Sequence, residues 1–548
     1  MEQADDFSAY NKELLEGRYD CVDRIVLNGY FPLGQQGGGF RTWWRQLTGS
    51  DAGLDQEHLL RMAGRFSRRV HAWAGQHAVP IIHCAPDERK HELAEKYLPG
   101  DPEFRGLFLI LVAKAPALVW EVKLGKTGVP HLQRKTPWPY VNHYHFHLLD
   151  PQWGHITIKM SGHPPFGIQV MLNGHEWVER QARAQNLSFE KLGNCFVGGS
   201  FQALDQLADT LCDEHVIGRL TEVCDRWVYS TCLCFALDLE EQQRSGFRYR
   251  YSGYQLEYSR NLLFVRGTQL DAVYQGLLDR TRRLLDVQVL RTLFGHKYRP
   301  HQRTGKRLAR VVDHSAYDLT VFKLHFGSLT LKLYDKGDRV LRAEAIAHNI
   351  KDLRCGKALE KLSIMLAKLQ RMVIDFLNAM HAAHVSYLPA GTLDRLAQPS
   401  QRGTRRLSGV DLQKPRMRDL VEALLPLAPN PQGFSLAELA AKVRQTSALE
   451  NSHYGPRHAA YDLLKLRGKQ LIERIGNTRR YRAIPTGIRI LAGMLILRDK
   501  IIEPVLSGAA KPRPGPRPKN IQPLDQHYEN LQRELRATFL TLGINTAA

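Results

Sequence analysis

Apolar and polar residues alternate with period two over residues 140–150 and again over residues 155–160, on either side of a Pro-Gln-Trp-Gly segment. Alternation around a short turn predicts a β-hairpin. Residues 166–172 predict a third strand, which an Asn-Gly pair ends, and residues 175–183 then have the spacing of a helix. This stretch therefore predicts three antiparallel strands followed by a helix.

The residues that precede this stretch predict further strands and helices. Residues 22–30 read as a strand, residues 54–75 as an amphipathic helix, and residues 104–122 as one or two buried strands. We therefore predict an N-terminal α/β module at residues 1–135.

A second group of strands is predicted at residues 319–349, where three alternating runs are separated by a Gly-Ser and an Asp-Lys-Gly-Asp turn. In the last run, Arg342 and Glu344 are two positions apart and share one face of the strand. Such a pair is either a structural ion pair or part of a polar site. A long helix at residues 359–384 follows, and we predict a central α/β body at residues 136–388.

The C-terminal part of the chain has a different organisation. We predict a linker rich in Gly, Pro, Gln and Arg at residues 389–408, a winged helix-turn-helix domain at 409–506, and a basic tether with a terminal helix at 507–548. In a winged helix the third helix enters the DNA major groove, and the two-stranded wing contacts the flanking backbone. The basic residues predicted to contact nucleic acid in this domain are Arg457, Lys465, Arg467, Arg474, Arg479, Arg480 and Arg482.

The net charge indicates what kind of partner the protein binds. A formal charge of +21 and a pI near 9.6 favour a polyanion, either nucleic acid or an anionic membrane. No apolar run has membrane-spanning length, and the first ten residues are acidic and polar, unlike a signal peptide. Nucleic acid is therefore the expected partner, with DNA favoured and a structural or guide RNA left open. A strongly basic run at 297–310 adds Arg303, Lys306 and Arg307 to the residues expected to follow phosphates.

The cysteine pattern indicates a reducing compartment. The eight cysteines form no CxxC pair, which favours free thiols over disulfides or a zinc ribbon. We therefore expect a protein of the bacterial cytoplasm, associated with the nucleoid, without a membrane anchor.

The predicted fold class is a multidomain α+β chain with antiparallel or mixed sheets, an RNase H-like β-β-β-α start and a C-terminal winged helix. RNase H-like nucleases and transposases cleave phosphodiesters with two metal ions that several carboxylates hold about 4 Å apart. Asp150, Glu176 and Glu344 are the candidate catalytic carboxylates and Mg²⁺ ligands. Lys159 and His175 are candidates for supporting these ligands or contacting phosphate.

Two other functions compete with the nuclease. His143, His145 and His147 alternate on one strand, as in the His-hydrophobic-His motif of HUH replication initiators and relaxases, where two histidines bind a metal and a tyrosine attacks the DNA. Alternatively the chain catalyses no reaction and is a DNA- or RNA-binding protein. The large body is then a scaffold, with or without a bound RNA.

The chain also resembles a family of uncharacterised bacterial proteins of about this length that accompany mobile elements. The resemblance covers nearly the whole chain and has no assigned activity to transfer. It is carried by three segments: Asn173-Gly174-His175-Glu176-Trp177, the stretch from Lys332 to Gly337 with Leu341-Arg342-Ala343-Glu344 and His348-Asn349, and residues 463–469. Asp335 stands where the family pattern leads us to expect a threonine.

Overall fold

A computed structural model describes most of the chain, and its contacts divide the chain into two units. The sheet unit comprises residues 13–270 and 304–373, and the C-terminal unit comprises residues 1–12, 271–303 and 374–548. The described residues are 5–50, 54–86, 88–124, 130–284, 322–326, 328–384, 392–428, 430, 432–446, 453–498 and 523–541.

The strands, in chain order, are β1 Leu15–Tyr30, β2 Ile81–His83, β3 Gly106–Pro116, β4 Trp120–Leu124, β5 Pro130–Arg134, β6 Tyr140–Asp150, β7 Gly154–Ser161, β8 Ile168–Asn173, β9 Phe189–Lys191, β10 Phe196–Gly199, β11 Arg250–Phe264, β12 Phe322–Phe326, β13 Leu329–Lys336, β14 Val340–Ala347, β15 Ser400–Arg402, β16 Arg405–Leu407, β17 Phe434–Ser435, β18 Ile472–Arg474 and β19 Arg480–Ala483.

The α-helices, in chain order, are α1 Asp6–Tyr10, α2 Gly37–Thr48, α3 Gln56–Gln76, α4 Lys90–Lys96, α5 Gly174–Ala184, α6 Phe201–Asp209, α7 Val216–Trp227, α8 Leu239–Ser245, α9 Gly267–Leu284, α10 Leu362–His384, α11 Thr392–Ala397, α12 Pro415–Leu424, α13 Leu436–Thr446, α14 Pro456–Gly468, α15 Pro485–Leu497 and α16 Pro523–Thr541.

The sheet unit is built on a ten-stranded mixed sheet with the order β12-β13-β14-β11-β1-β8-β7-β6-β3-β2. Its strands pair antiparallel except β2 and β3, which are parallel. The predicted hairpin and third strand are confirmed as β6, β7 and β8, and the helix after them as α5. The three-strand meander near residue 330 is likewise confirmed as β12, β13 and β14.

The alternation that predicts these strands separates a closed apolar face from a polar one. In β6, Tyr144 and Phe146 point to the same side and pack against rings of the overlying elements, with centroids 5.0 Å from Phe66 and 5.8 Å from Phe235. Phe66 belongs to α3, whose buried residues Leu59, Met62, Phe66, Val70 and Ala74 recur at helical spacing. Burial of this face contributes to the core of the unit.

The strand β1 joins regions that the sequence predicted as separate modules. It pairs with β8 over Arg24–Gly29 and with β11 along nearly its whole length. The predicted N-terminal module and central body therefore share one sheet, and the boundary predicted at residue 135 falls between two of its strands. The β-β-β-α order is present, but it lies inside the larger sheet, with β3 antiparallel on one side and β1 on the other. The described residues thus form an α+β fold with a large mixed sheet and sixteen α-helices.

The C-terminal unit contains three successive helices, α12, α13 and α14, and a small antiparallel sheet of order β17-β19-β18. Its core is closed by aliphatic residues of all three helices, among them Leu420, Leu439 and Leu463. The helix α1 belongs to the same unit. The backbone N–H of Asp6 donates to Asn378 Oδ1 at 2.8 Å, and the Asp6 carboxylate lies 3.6 Å from Arg489.

Part of the predicted linker at 389–408 is folded. The segment contains α11 and the hairpin β15–β16, and the Lys469 ammonium at the end of α14 donates to the carbonyls of Arg395 and Gln398. Gly468 faces Ser400 and Leu407 so closely that a Cβ would lie 2.4 Å from the Ser400 hydroxyl. A composition rich in glycine and arginine thus forms an ordered part of the C-terminal unit.

Among the helices of the described residues, none combines the length and the apolar character that crossing a membrane requires.

The contact between β1 and the start of α5 gives a first testable prediction. A Cβ on Gly174 would lie 1.8 Å from the Val22 carbonyl oxygen, so Gly174→Ala should lower the free energy of unfolding by about 1–3 kcal/mol, the usual cost of overpacking. Gly218 in α7 is the matched control, because a Cβ there meets nothing within 4 Å. Gly218→Ala should be neutral or stabilise by up to about 1 kcal/mol. Chemical denaturation of both variants measures this, and equal effects would contradict the assigned packing.

Candidate functional site

A buried charged centre, formed by Asp23, His175 and Arg342, lies where β1, α5 and β14 meet. Asp23 stands at an irregularity in the pairing of β1 with β11, where the register shifts between Val22 and Ile25. His175 is the second residue of α5, and the side chain of the cap residue Asn173 accepts a hydrogen bond from the His175 backbone N–H at 2.9 Å. The local sequence thus places each group, and the sheet brings them together.

Asp23 is the hub of this centre. Its Oδ1 accepts hydrogen bonds from Arg342 Nη2 at 2.7 Å and from the Ser259 hydroxyl at 3.0 Å, and His175 Nδ1 lies 2.8 Å away. Arg342 also donates to the Asn194 carbonyl at 3.0 Å. The three charged side chains are at most 3% exposed, so the centre is shielded from water.

Burial and charge act against each other on these groups. Burial acts to raise the pKa of Asp23, but Arg342 and then His175 hold that pKa well below its usual range. Burial lowers the pKa of His175 to about 4, although Asp23 opposes this shift. The carboxylate and the guanidinium are therefore charged at neutral pH, and the imidazole is neutral.

A second layer orients the imidazole. The Tyr19 hydroxyl lies 3.2 Å from His175 Nε2, accepts a hydrogen bond from the Phe196 backbone N–H at 2.9 Å, and donates to Cys195 Sγ at 3.5 Å. The Tyr19 hydroxyl thus fixes the Nε2 edge of the imidazole, and Nδ1 faces the Asp23 carboxylate at 2.8 Å.

Cys21, two positions before Asp23 on β1, completes a possible ligand set. One ligand atom from each of Cys21, Asp23 and His175 lies within 4.8 Å of the others, and this group could hold a metal ion. The sequence analysis chose His175 but neither Cys21 nor Asp23. The available signal was weak: Cys-Val-Asp on an alternating strand places both side chains on one face, but nothing local indicates the histidine 152 residues after Asp23.

Each of the three predicted catalytic carboxylates has its own hydrogen-bond or ion-pair partners. Asp150 is fully buried at the β6–β7 turn, where it accepts hydrogen bonds from the backbone of Gln152 and Trp153 and from the side chains of Arg226 and Trp227, all at 2.8–2.9 Å. Two of these bonds belong to the turn, and the other two connect the turn to α7.

Glu176 and Glu344 each have a lysine partner. Glu176 lies 2.8 Å from Lys191, and Glu344 lies 3.0 Å from Lys332. Within the described part of the chain, the side chains that come together as a possible metal-binding group include neither these two glutamates nor Asp150. Arg342 and Glu344 share a face of β14 as predicted, but they have different partners.

The histidine-rich strand gives a buried, neutral row. His143, His145 and His147 share one face of β6, and burial is the main cause that lowers their pKa values, to about 4, about 3 and about 3. His147 Nδ1 lies 3.0 Å from His155 Nε2, and Lys159 stands opposite His145 on β7. Burial and Lys90 lower the pKa of Lys159. The described geometry thus makes these residues part of a buried polar face.

The basic residues predicted to bind nucleic acid have different environments. Arg303, Lys306 and Arg307 lie outside the described residues. Arg480 donates to the Gln432 and Gly433 carbonyls at 2.7 and 2.6 Å and pairs with Glu438 at 3.0 Å.

The other members of the set in the C-terminal unit also differ in their contacts. Arg482 pairs with Glu473 across the β18–β19 hairpin, and Arg474 donates to the carbonyls of the turn between these strands. Lys465 and Arg467 lie over the rings of Tyr461 and Tyr481. Arg457 and Arg479 are exposed, and no contact of their side chains is found among the described residues.

Comparisons with protein-family models, with curated proteins and with solved structures found no match for this chain. The resemblance to mobile-element proteins therefore stays a prediction, and the function has to be argued from the geometry.

The ion pair of the centre generates a prediction about stability. Removing Arg342 leaves Asp23 buried without its cation, so Arg342→Leu should lower the free energy of unfolding by about 3–5 kcal/mol. Glu344→Gln is the comparison on the same strand: its partner Lys332 is 28% exposed and can reach water, so the expected loss is about 1 kcal/mol. Equal losses in urea denaturation would contradict the central place given to Asp23.

The histidine row generates a prediction about pH. His145 is neutral in the folded protein down to about pH 3, while in the unfolded chain it takes up a proton below about pH 6.5. Stability is therefore complete above pH 6.5 and falls as the pH decreases, by up to about 1.4 kcal/mol per pH unit for each such histidine.

His145→Gln should reduce the stability lost between pH 7 and pH 5 by about 2 kcal/mol. The control is His131→Gln, which changes an exposed histidine of β5. Urea denaturation at the two pH values measures the difference. An unchanged loss in His145→Gln would show that the imidazole is charged or hydrated in the fold.

Proposed function

We propose that this chain is a nucleic-acid-binding protein whose C-terminal unit binds duplex DNA as a winged helix. The observation that carries the proposal is the order α12, β17, α13, α14, β18, β19, in which a third helix is followed directly by a two-stranded antiparallel hairpin. This order of elements supports the use of α14 as the recognition helix and of the hairpin as the wing.

The distribution of charge supports the same surface. Arg457 is exposed at the N-terminal end of α14, and Arg479 is exposed at the turn of the wing. In a winged helix these are the two places that approach the major groove and the flanking backbone. Arg405 and Arg406 of β16 are also exposed. The next residue of the same strand, Leu407, lies beside Gly468 at the end of α14. Phosphate contacts from such residues provide most of the non-specific affinity of a DNA-binding protein.

The internal contacts distinguish binding residues from structural ones. Arg480 already holds β19 to the loop before β17 and to α13 through Gln432, Gly433 and Glu438. Its neighbour Arg479 has its guanidinium available for phosphate. Two adjacent arginines are therefore expected to give opposite results on replacement.

The test uses the full-length protein and a DNA duplex, with affinity measured over a range of salt concentrations. Replacing Arg457 and Arg479 together with Ala should weaken binding and make the plot of log K against log salt shallower by about 0.9 per lost phosphate contact. Arg479→Lys keeps the charge and should retain most of the binding.

The second arm separates binding from folding. Arg480→Ala should lower the melting temperature, because it releases two carbonyls and Glu438, whereas Arg479→Ala should leave it unchanged. A folded double variant of Arg457 and Arg479 with the affinity and salt dependence of the parent would refute the assigned DNA surface.

A further inference from the structure

The buried charged centre contains ligand atoms that the protein itself does not satisfy. Asp23 Oδ2 is buried and has no hydrogen-bond partner among the described residues, although Oδ1 of the same carboxylate has Arg342 and Ser259. His175 Nδ1 is also without a hydrogen bond of normal geometry in the described structure, despite its distance of 2.8 Å to Asp23 Oδ1. Leaving such buried atoms unsatisfied costs free energy, which a bound cation would recover.

The third ligand is a buried thiol. Cys21 is 1% exposed, and its thiol donates a hydrogen bond to the neighbouring Val22 carbonyl at 3.5 Å. The three ligand atoms of Cys21, Asp23 and His175 lie within 4.8 Å of one another. Small movements of the side chains would bring them to the separations of a tetrahedral site.

The surroundings of these ligands are also those of a metal site. Metal-binding histidines use one ring nitrogen as the ligand and fix the other through a hydrogen bond. Here the Tyr19 hydroxyl lies beside Nε2, and the Phe196 backbone N–H and Cys195 hold that hydroxyl in place. The ring is thus oriented with Nδ1 toward Asp23.

We infer that Cys21, Asp23 and His175 bind one thiophilic divalent cation of the Zn²⁺ class. A sulfur, an imidazole nitrogen and a carboxylate oxygen suit Zn²⁺ or Fe²⁺, whereas Mg²⁺ and Ca²⁺ prefer sets made of oxygen alone. This proposal differs from the Mg²⁺ expected from the sequence in both the ion and its ligands. Binding of the ion displaces the proton of the Cys21 thiol to solvent. The resulting thiolate and the Asp23 carboxylate supply two negative charges for the ion, and Arg342 stays paired with Oδ1.

The position of the site predicts how the ion is bound. The ligands come from β1 and the first turn of α5, and each is at most 3% exposed. The ion therefore enters as the protein folds and stays bound on purification, and chelators remove it only when the chain unfolds. By bonding to residues of both elements, the ion connects β1 to α5 and stabilises their packing.

The test is the metal content of the full-length protein, measured by elemental analysis after refolding with Zn²⁺ and extensive dialysis. The expected result is about one ion per chain. Cys21→Ala should lose the ion. Cys224→Ala should retain it, because Cys224 is an equally buried cysteine outside the ligand group. A parent protein that holds no ion, or a Cys21→Ala variant with the parent's content, would overturn the inference.

A second measurement covers the case in which Cys21→Ala does not fold. The parent is refolded with Co²⁺, whose bond to a thiolate gives a charge-transfer absorption band. The band should be present in the parent and in Cys224→Ala. A spectrum without the thiolate band would exclude Cys21 as a ligand and overturn the site as assigned. Neither result depends on DNA binding by the C-terminal unit.

Discussion

The pairing of Asp23 with Arg342 is the constraint on which the sheet unit depends. Withdrawing a carboxylate and a guanidinium from water costs several kcal/mol for each ion, and close geometry with further hydrogen bonds is needed to recover that cost. Ser259 and the Asn194 carbonyl supply those bonds. Because Asp23, Ser259 and Arg342 stand on β1, β11 and β14, the pair is satisfied only when these strands have their native register.

The elements that could be predicted from the sequence are those whose cause is local. The hairpin of β6 and β7, the cap of α5 at Asn173 and the meander of β12 to β14 depend on alternation, turn residues and capping within about ten residues of each other. The joining of these pieces into one sheet could not be predicted. The strand β1 pairs with β11, which lies more than two hundred positions later, and no local pattern contains that information.

The candidate site follows the same division. The shared face of Arg342 and Glu344 is a property of one strand and was predicted, but the partner of Arg342 lies 319 residues away. Likewise, the common face of His143, His145 and His147 follows from alternation, whereas the burial that keeps them neutral depends on what covers the sheet. Asp150 combines both cases: two of its hydrogen bonds come from the turn that follows it, and two come from Arg226 and Trp227, 76 and 77 residues later.

The contact of α1 with the C-terminal unit has a consequence for biosynthesis. Asp6 donates its backbone N–H to Asn378, which the ribosome adds 372 residues later. At about 5–20 residues per second the delay is on the order of 20–70 s. During that time the Asn378 partner of α1 has not been synthesised. Arg342, the partner of Asp23 on β1, is synthesised almost as late. Although β1 can pair with β8 much sooner, Asp23 lacks its cation and α1 lacks Asn378 until translation is well advanced, and in this interval a chaperone would have most to bind.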